Sequence, residues 1–272
     1  MNWKCYRIVF RLFSPLHVGW FKIGNIQRTR PYVTGRALWG ALTERLARDV
    51  AAPGNNYKAV GDSVNRELAF SYFYPTVEES GQVKIWLWND PDEFTWRYLN
   101  TYASTALNPR QKAAEEASLH EVEYIAPKTR DGQQVYLSGY VFEKRGCSLN
   151  WRGALSRLQL GGERGYGWGR VILDQMFEIQ DTFFSEWRID LSGNRPIVYA
   201  SVKASLYAHT VVDGLKVEKG RIEPLVGRET MTATAFGRQV RLMGVCWMPG
   251  SVLQDQGQKR FHIGNFGIWQ RI

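Results

Sequence analysis

Gly161-Gly162-Glu163-Arg164-Gly165-Tyr166-Gly167-Trp168-Gly169-Arg170 is the stretch on which the reading of this 272-residue chain turns. Five glycines fall between Gly161 and Gly169, with Arg164, Tyr166 and Trp168 set among them and Arg170 following. Glycine lets the backbone adopt positive φ and approach a ligand with no Cβ in the way. Successive backbone N–H groups in such a turn form an anion-binding nest. The arginines add charge-assisted hydrogen bonds to phosphate, and Tyr166 or Trp168 offers a face to a base or ribose. The competing reading is a tight turn that holds a helix close to a strand. One glycine pair would serve that purpose, and five with interleaved Arg, Tyr and Trp fit it poorly.

Working outward, residues 151–160 (WRGALSRLQL) predict a short helix and residues 170–179 (RVILDQMFEI) a strand. The order helix, glycine loop, strand excludes two common nucleotide motifs. A P-loop ends in Gly-Lys-Ser/Thr, which is absent, and a dinucleotide fold needs G-x-G-x-x-G after a strand and before a helix. Here the spacing is G-x-G-x-G and the flanking elements are reversed.

Upstream, residues 4–13 (KCYRIVFRLF) are rich in β-branched and aromatic residues and predict a strand that ends or bulges at Ser14-Pro15 and Gly19. Residues 19–34 read as a loop or hairpin arm carrying Arg28 and Arg30. Leu38, Leu42 and Leu46 then recur every fourth residue, which predicts an amphipathic helix that begins after Thr34-Gly35 and stops before Pro53-Gly54. A strand, a looped-out arm and a helix open a ferredoxin-like βαβ half, and the helix, glycine loop and strand at 151–179 close it. Between these ends, residues 68–74 and 83–88 predict strands. Residues 93–107 predict a weak helix, and residues 108–118 a polar loop with at most one helical turn. Residues 120–125 and 134–143 predict a hairpin across Thr129-Arg130-Asp131-Gly132. Residues 181–196 carry loop punctuation. Beyond them, IVYASVKASLYA, VRLMGVCWM and RFHIGNFGIW are short β-like runs. The expected fold is α+β: a ferredoxin-like (RRM-like) domain over 1–180 and a mostly β domain over 181–272, which could be a degenerate ferredoxin-like copy.

Hydrophobic residues make up 44% of the chain, too many for a disordered polymer. The formal net charge of +9 attracts phosphate, and 11 Trp, 13 Tyr and 13 Phe offer flat faces beyond those a core needs. Cys5, Cys147 and Cys246 are odd in number and far apart, which argues against a disulfide framework and for a reducing, cytoplasmic setting. The N-terminal apolar stretch is interrupted by charges, so it predicts neither a signal peptide nor a membrane span.

The segment GGERGYGWGRV resembles the glycine-rich loop of the RAMP superfamily of CRISPR-associated proteins. The run FSPLHVGWFKIGNIQRTRPYVTGRALWGALTERL is similar to the same superfamily: a first strand ending in SPLHVG, an inserted arm, then the first helix. AEEASLHEVEYIAP and MPGSV…FHIGNFGIW resemble the subunit that caps the 5′ tag of the guide RNA, in the form found in type III-D systems and their relatives. The resemblance implies a non-catalytic RNA-binding subunit built on ferredoxin-like folds. It would grip the repeat-derived 5′ handle, dock on the first backbone RAMP subunit, and in some systems meet the large signature subunit or an associated nuclease. Carried onto this chain, RNA contacts are expected from Gly161, Gly162, Arg164, Gly165, Tyr166, Gly167, Trp168, Gly169 and Arg170. Arg28 and Arg30 in the arm, and Arg36 and Trp39 at the start of the helix, are the second expected group, with Gly35 and Gly40 permitting close approach. Trp39 falls on the apolar helix face, where core packing is the stronger reading. Arg28 and Arg30 could instead be solvated charges.

The rival class is a metal-independent, guide-RNA-processing endoribonuclease of the same superfamily, which needs a group that titrates near neutrality. Of His17, His120, His209 and His262, His17 is the best candidate general acid/base, with Lys22 and Tyr32 near it in sequence. Local packing is the preferred reading for it, and a structural hydrogen bond for His120. A backbone RAMP subunit is a further alternative, but such a subunit would end soon after the glycine loop. No HExxH or Cys/His pair is present, so neither a metal nor another cofactor is expected. An unrelated RNA-binding module is disfavoured, because the short aromatic RNA-recognition signature is not matched.

Overall fold

The computed structural model describes residues 1–272 except 51–56, 185, 201–202, 231–236 and 255–258. Its first sheet is antiparallel, in the order Val171–Ile179, Trp3–Leu12, Tyr136–Lys144, Leu68–Phe70, with Tyr74–Thr76 also on Tyr136–Lys144. In chain order that is fourth, first, third, second. Helix α1 (Gly35–Asp49) follows the first strand, and a helix at Trp151–Leu155 follows the third.

Alternation along the strands sends side chains to two cores. Tyr6, Ile8, Phe10 and Leu12 pack under the helices with Leu38, Leu42, Leu46, Trp151 and Leu155. Trp3, Cys5, Tyr140 and Phe142 face the other way, toward Phe183, Trp187, Phe261 and Trp269 of the C-terminal part. A sheet covered on both faces explains why its strands read as nearly continuous apolar runs. The covering layer is an eight-stranded sheet that begins at Thr182–Phe183 and ends at the pair Gln239–Trp247 and Ile222–Glu229. Among the described residues no α-helix lies within 181–272.

The arm forms a hairpin, Gly19–Ile23 with Ile26–Thr29. It docks in parallel on His120–Ile125, which pairs with Leu99–Ser104 to make a separate four-stranded sheet. The expected hairpin between 120–125 and 134–143 therefore does not form. Its turn is present: Gly132 N–H donates to the Thr129 carbonyl at 2.9 Å. The strands part because Ile125 exchanges backbone hydrogen bonds with Leu16 instead, and Pro127 has no N–H for a ladder.

α1 starts where expected, with the Thr34 hydroxyl accepting from Ala37 N–H at 3.2 Å. The expected stop at Pro53-Gly54 lies outside the described residues. Residues 83–88 are not a strand. Ile85 and Leu87 reach one core while Trp86 and Trp88 reach the other, so the period-two pattern arises from straddling two cores without a ladder. Trp86 and Trp88 stack at 4.9 Å. The helix expected in 93–107 is shorter, Pro91–Tyr98, and gives way to the strand at Leu99. In place of a helical turn, 108–118 carries a two-residue ladder, Leu107–Asn108 with Ala113–Ala114. Helix α2 (Tyr57–Glu67) was not anticipated. Cys5, Cys147 and Cys246 are unpaired. Among the described residues no helix is long and apolar enough to cross a membrane.

Candidate nucleic-acid interface

The glycine loop divides into an anchored base and an open tip. At the base, Gly169 N–H donates to Pro15 O and Leu160 N–H to Gly169 O, both at 2.7 Å, and Gly162 N–H donates to His17 O at 2.8 Å. Gly169 and Gly161 both have positive φ, 79° and 72°, and a Cβ there would collide with Leu160 O and His17 O. These two glycines are packing residues, which corrects the sequence reading of the loop as a whole. At the tip, a Cβ on Gly165 or Gly167 would meet nothing within 4 Å, and Tyr166 is 79% exposed. The nest is smaller than expected. Tyr166, Gly167, Trp168 and Gly169 direct their N–H groups to protein carbonyls, while Glu163, Arg164 and Gly165 carry no amide hydrogen bond among the described residues.

The flanking side chains are partly committed. Arg164 Nη1 donates to Glu44 of α1 at 2.9 Å, and its Nε to Gly161 O at 3.0 Å. Trp168 packs edge-on against Tyr124 at 5.1 Å and Tyr102 at 6.1 Å. Arg170 is exposed and lies over the Phe13 ring at 4.9 Å. Trp39 is held by Nε1 donating to Gly61 O at 3.1 Å and joins α1 to α2. Arg28 pairs with the buried Glu123 at 3.1 Å.

Arg36 is half-buried. It donates to Arg228 O at 2.6 Å, approaches the Met243 sulfur at 2.7 Å, and covers the Phe266 ring at 4.9 Å. Burial pulls its guanidinium below the ordinary value, while the Glu229 carboxylate pushes it up. Gly35 is closely approached by the Phe266 backbone of this chain itself, so its open side is taken by protein, whereas Gly40 is uncrowded.

Arg30 is not a solvated charge. It donates to Glu223 at 2.6 Å, and that carboxylate also accepts from Trp20 Nε1 at 2.9 Å and His209 Nε2 at 2.5 Å. A carboxylate only accepts, so His209 carries its proton on Nε2 and takes the Tyr72 hydroxyl on Nδ1 at 2.7 Å. Burial pulls His209 down, with Glu223 opposing. Burial pushes the Glu223 carboxyl up, but His209 and Arg30 outweigh it and hold it at about 2. This hub fixes the arm to the C-terminal sheet.

A cleft of about 520 Å³ collects five of the expected residues, Arg30, Arg36, Gly161, Gly162 and Arg164, between the arm, α1 and the strand Ile222–Glu229. Trp39 lines a neighbouring cleft of about 960 Å³. His17 is buried, with Nδ1 donating to Glu123 O at 2.7 Å. His120 bonds Ser104 Oγ at 2.9 Å. Among the described residues no group of three His, Cys, Asp or Glu side chains is placed to hold a metal ion. Glu223 and His209, which organise the arm, were not singled out in the sequence; they lie far from Arg30 along the chain and in no motif.

No family model matches the chain, and no curated protein matches it. Solved structures do. A chain of the cryo-EM structure of the Type III-B Cmr-beta bound to cognate target RNA and AMPPnP, state 1, has a TM-score of 0.52 at 10% identity, covering 91% of this chain and 85% of that one. A chain of the Type III-B Cmr-beta bound to cognate target RNA gives 0.49 at 12% identity, covering 91% and 86%. The crystal structure of a CRISPR protein from Archaeoglobus fulgidus gives 0.45 at 9% identity, covering 94% of each chain. The chain shares its α+β fold with the first of these over most of both lengths.

Proposed function

We propose that this chain is a non-catalytic RNA-binding subunit of a CRISPR ribonucleoprotein effector that grips the 5′ repeat-derived handle of the guide RNA. The observation that carries this reading is the cleft where the base of the glycine loop, Arg164, Arg36 and the arm converge. The same loop carries the exposed Tyr166, the exposed Arg170 at its end, and the uncommitted amides of Glu163, Arg164 and Gly165. Cations, free amides and an exposed ring suit a single-stranded backbone with splayed bases.

The fold supports the same reading. Strand order fourth, first, third, second, with helices after the first and third strands, is that of a ferredoxin-like βαββαβ unit. On this account residues 1–180 are that unit and 181–272 a β domain laid over its second face. The likeness to a chain of a Cmr-beta assembly fits a subunit that meets backbone RAMP subunits. The burial of His17, with one ring nitrogen donating to a backbone carbonyl, favours binding over cleavage.

The test is an electrophoretic shift assay with the handle sequence and with a same-length RNA of scrambled sequence. The reading predicts a tighter complex with the handle. Equal binding of both would reduce the chain to a general RNA binder, and binding of neither would reject the reading.

A further inference from the structure

Arg195 sits in the connection between the strands Trp187–Asp190 and Ile197–Ala200, and it has no carboxylate partner among the described residues. The side chain is half-buried. Its Nη2 donates to Asn265 Oδ1, and its Nη1 is shut off from solvent with no hydrogen bond. Burial pulls the guanidinium below its ordinary value, and no anion opposes the effect. Arginine stays charged in such a place, so a half-buried guanidinium without an anion is an uncompensated charge.

Arg195 borders the 960 Å³ cleft beside α2. Of the other cations there, Lys58 is paired with Asp62 and Arg241 with Glu229. Arg228 is exposed, and its side chain makes no ion pair among the described residues. The wall between this cleft and the one at the glycine loop is Phe266, a non-glycine residue held at φ 61°. Both cavities touch Tyr57, Met243, Phe266 and Ile268, so they adjoin across that wall. A non-glycine residue in the left-handed region is costly and needs surrounding structure to hold it. Here Arg36 covers the ring and Trp39 meets it at 4.9 Å.

We propose that the cleft beside α2 is a second phosphate site, in which Arg195 and Arg228 receive a phosphodiester of a single-stranded RNA whose neighbouring nucleotides lie at the glycine loop. This rests on the RNA-binding reading above. A phosphate supplies the missing anion, and an RNA strand spans two adjoining clefts in a way a mononucleotide does not.

The experiment uses the full chain and a fluorescein-labelled single-stranded repeat RNA, with anisotropy read across a salt series. Four proteins are compared: the unaltered chain, Arg195→Met, Arg228→Gln, and Arg164→Ala with Arg170→Ala. Arg195→Met is expected to weaken binding by about fivefold to tenfold and to lower the slope of log K against log salt by about 0.7, one contact on a single strand. Its melting temperature should be unchanged or higher, since an apolar side chain replaces an uncompensated charge. A lower melting temperature with unchanged affinity would make Arg195 structural and overturn the proposal. So would unchanged affinity and slope in both Arg195→Met and Arg228→Gln while the Arg164/Arg170 variant loses binding. That pattern leaves the RNA-binding reading standing, whereas no binding by the unaltered chain rejects both. AMP in excess is the competitor: no displacement of RNA is expected, and displacement that Arg195→Met abolishes would assign the site to a mononucleotide.

Discussion

The Arg164 guanidinium lies 2.9 Å from the Glu44 carboxylate, so the glycine loop is tied by charge to α1. The pair is partly exposed, and its effect on stability is therefore modest. On the proposed RNA-binding reading its effect on binding is sharper, because Glu44 would compete with phosphate for the same donors. Glu44→Gln removes that competitor. The expected result is tighter RNA binding, by about twofold to threefold, with little change in melting temperature. Anisotropy at fixed salt reads it, and weaker binding would mean that Glu44 positions Arg164 for RNA.

The divided roles of the glycines predict opposite stability effects. Gly169→Ala places a Cβ against Leu160 O at φ 79° and should cost about 3 kcal/mol or more. Gly165→Ala meets open space and should stay within about 1 kcal/mol. Urea denaturation of both variants measures the difference. Equal losses would contradict the anchored-base, open-tip description.

The arm hub predicts acid sensitivity. Glu223 is held at about 2 and His209 is lowered from 6.5, so at both groups the unfolded chain binds protons more readily than the folded one. Stability is therefore fully present above about pH 6.5 and is lost on acidification. The His209 part fades first, and the Glu223 part fades as pH falls from about 4.5 toward 2. The carboxylate contribution is on the order of 3 kcal/mol. Glu223→Gln leaves Arg30 buried without its anion and should cost about 3–5 kcal/mol at neutral pH. Thermal melts from pH 7 to pH 2 check the trend, and a flat profile in the unaltered protein would sink this account of the hub.

The proposed non-catalytic role requires that the chain leave its RNA intact. Incubation with labelled repeat RNA, with and without EDTA, should give no discrete product. Clean cleavage that disappears in His17→Ala would restore the endoribonuclease reading.

Much of the first sheet was legible in the sequence, because runs of β-branched and aromatic residues and the Leu38, Leu42, Leu46 spacing are local signals. The helix-loop-strand order around Gly161 was local as well. What escaped was long-range. Ile125 had a plausible hairpin partner nearby, yet its backbone pairs with Leu16, more than a hundred residues away in sequence. Residues 83–88 alternate as a strand does, but the alternation serves two cores. In α2 the apolar pair Val60 and Val64 was the available signal, diluted by Gly61 and the polar residues around it. In the candidate site, the clustering of glycines and arginines was legible. The part of one carboxylate, Glu223, in deciding what Arg30 does was not.

The most direct test of the central claim is a salt titration of repeat-RNA binding by the unaltered chain and by Arg164→Ala with Arg170→Ala. The account predicts affinity that falls linearly on a log–log plot for the unaltered chain, and a weaker, shallower line for the variant, with about 0.7 lost from the slope per phosphate contact removed. Binding without salt dependence, or identical lines for the two folded proteins, would contradict it.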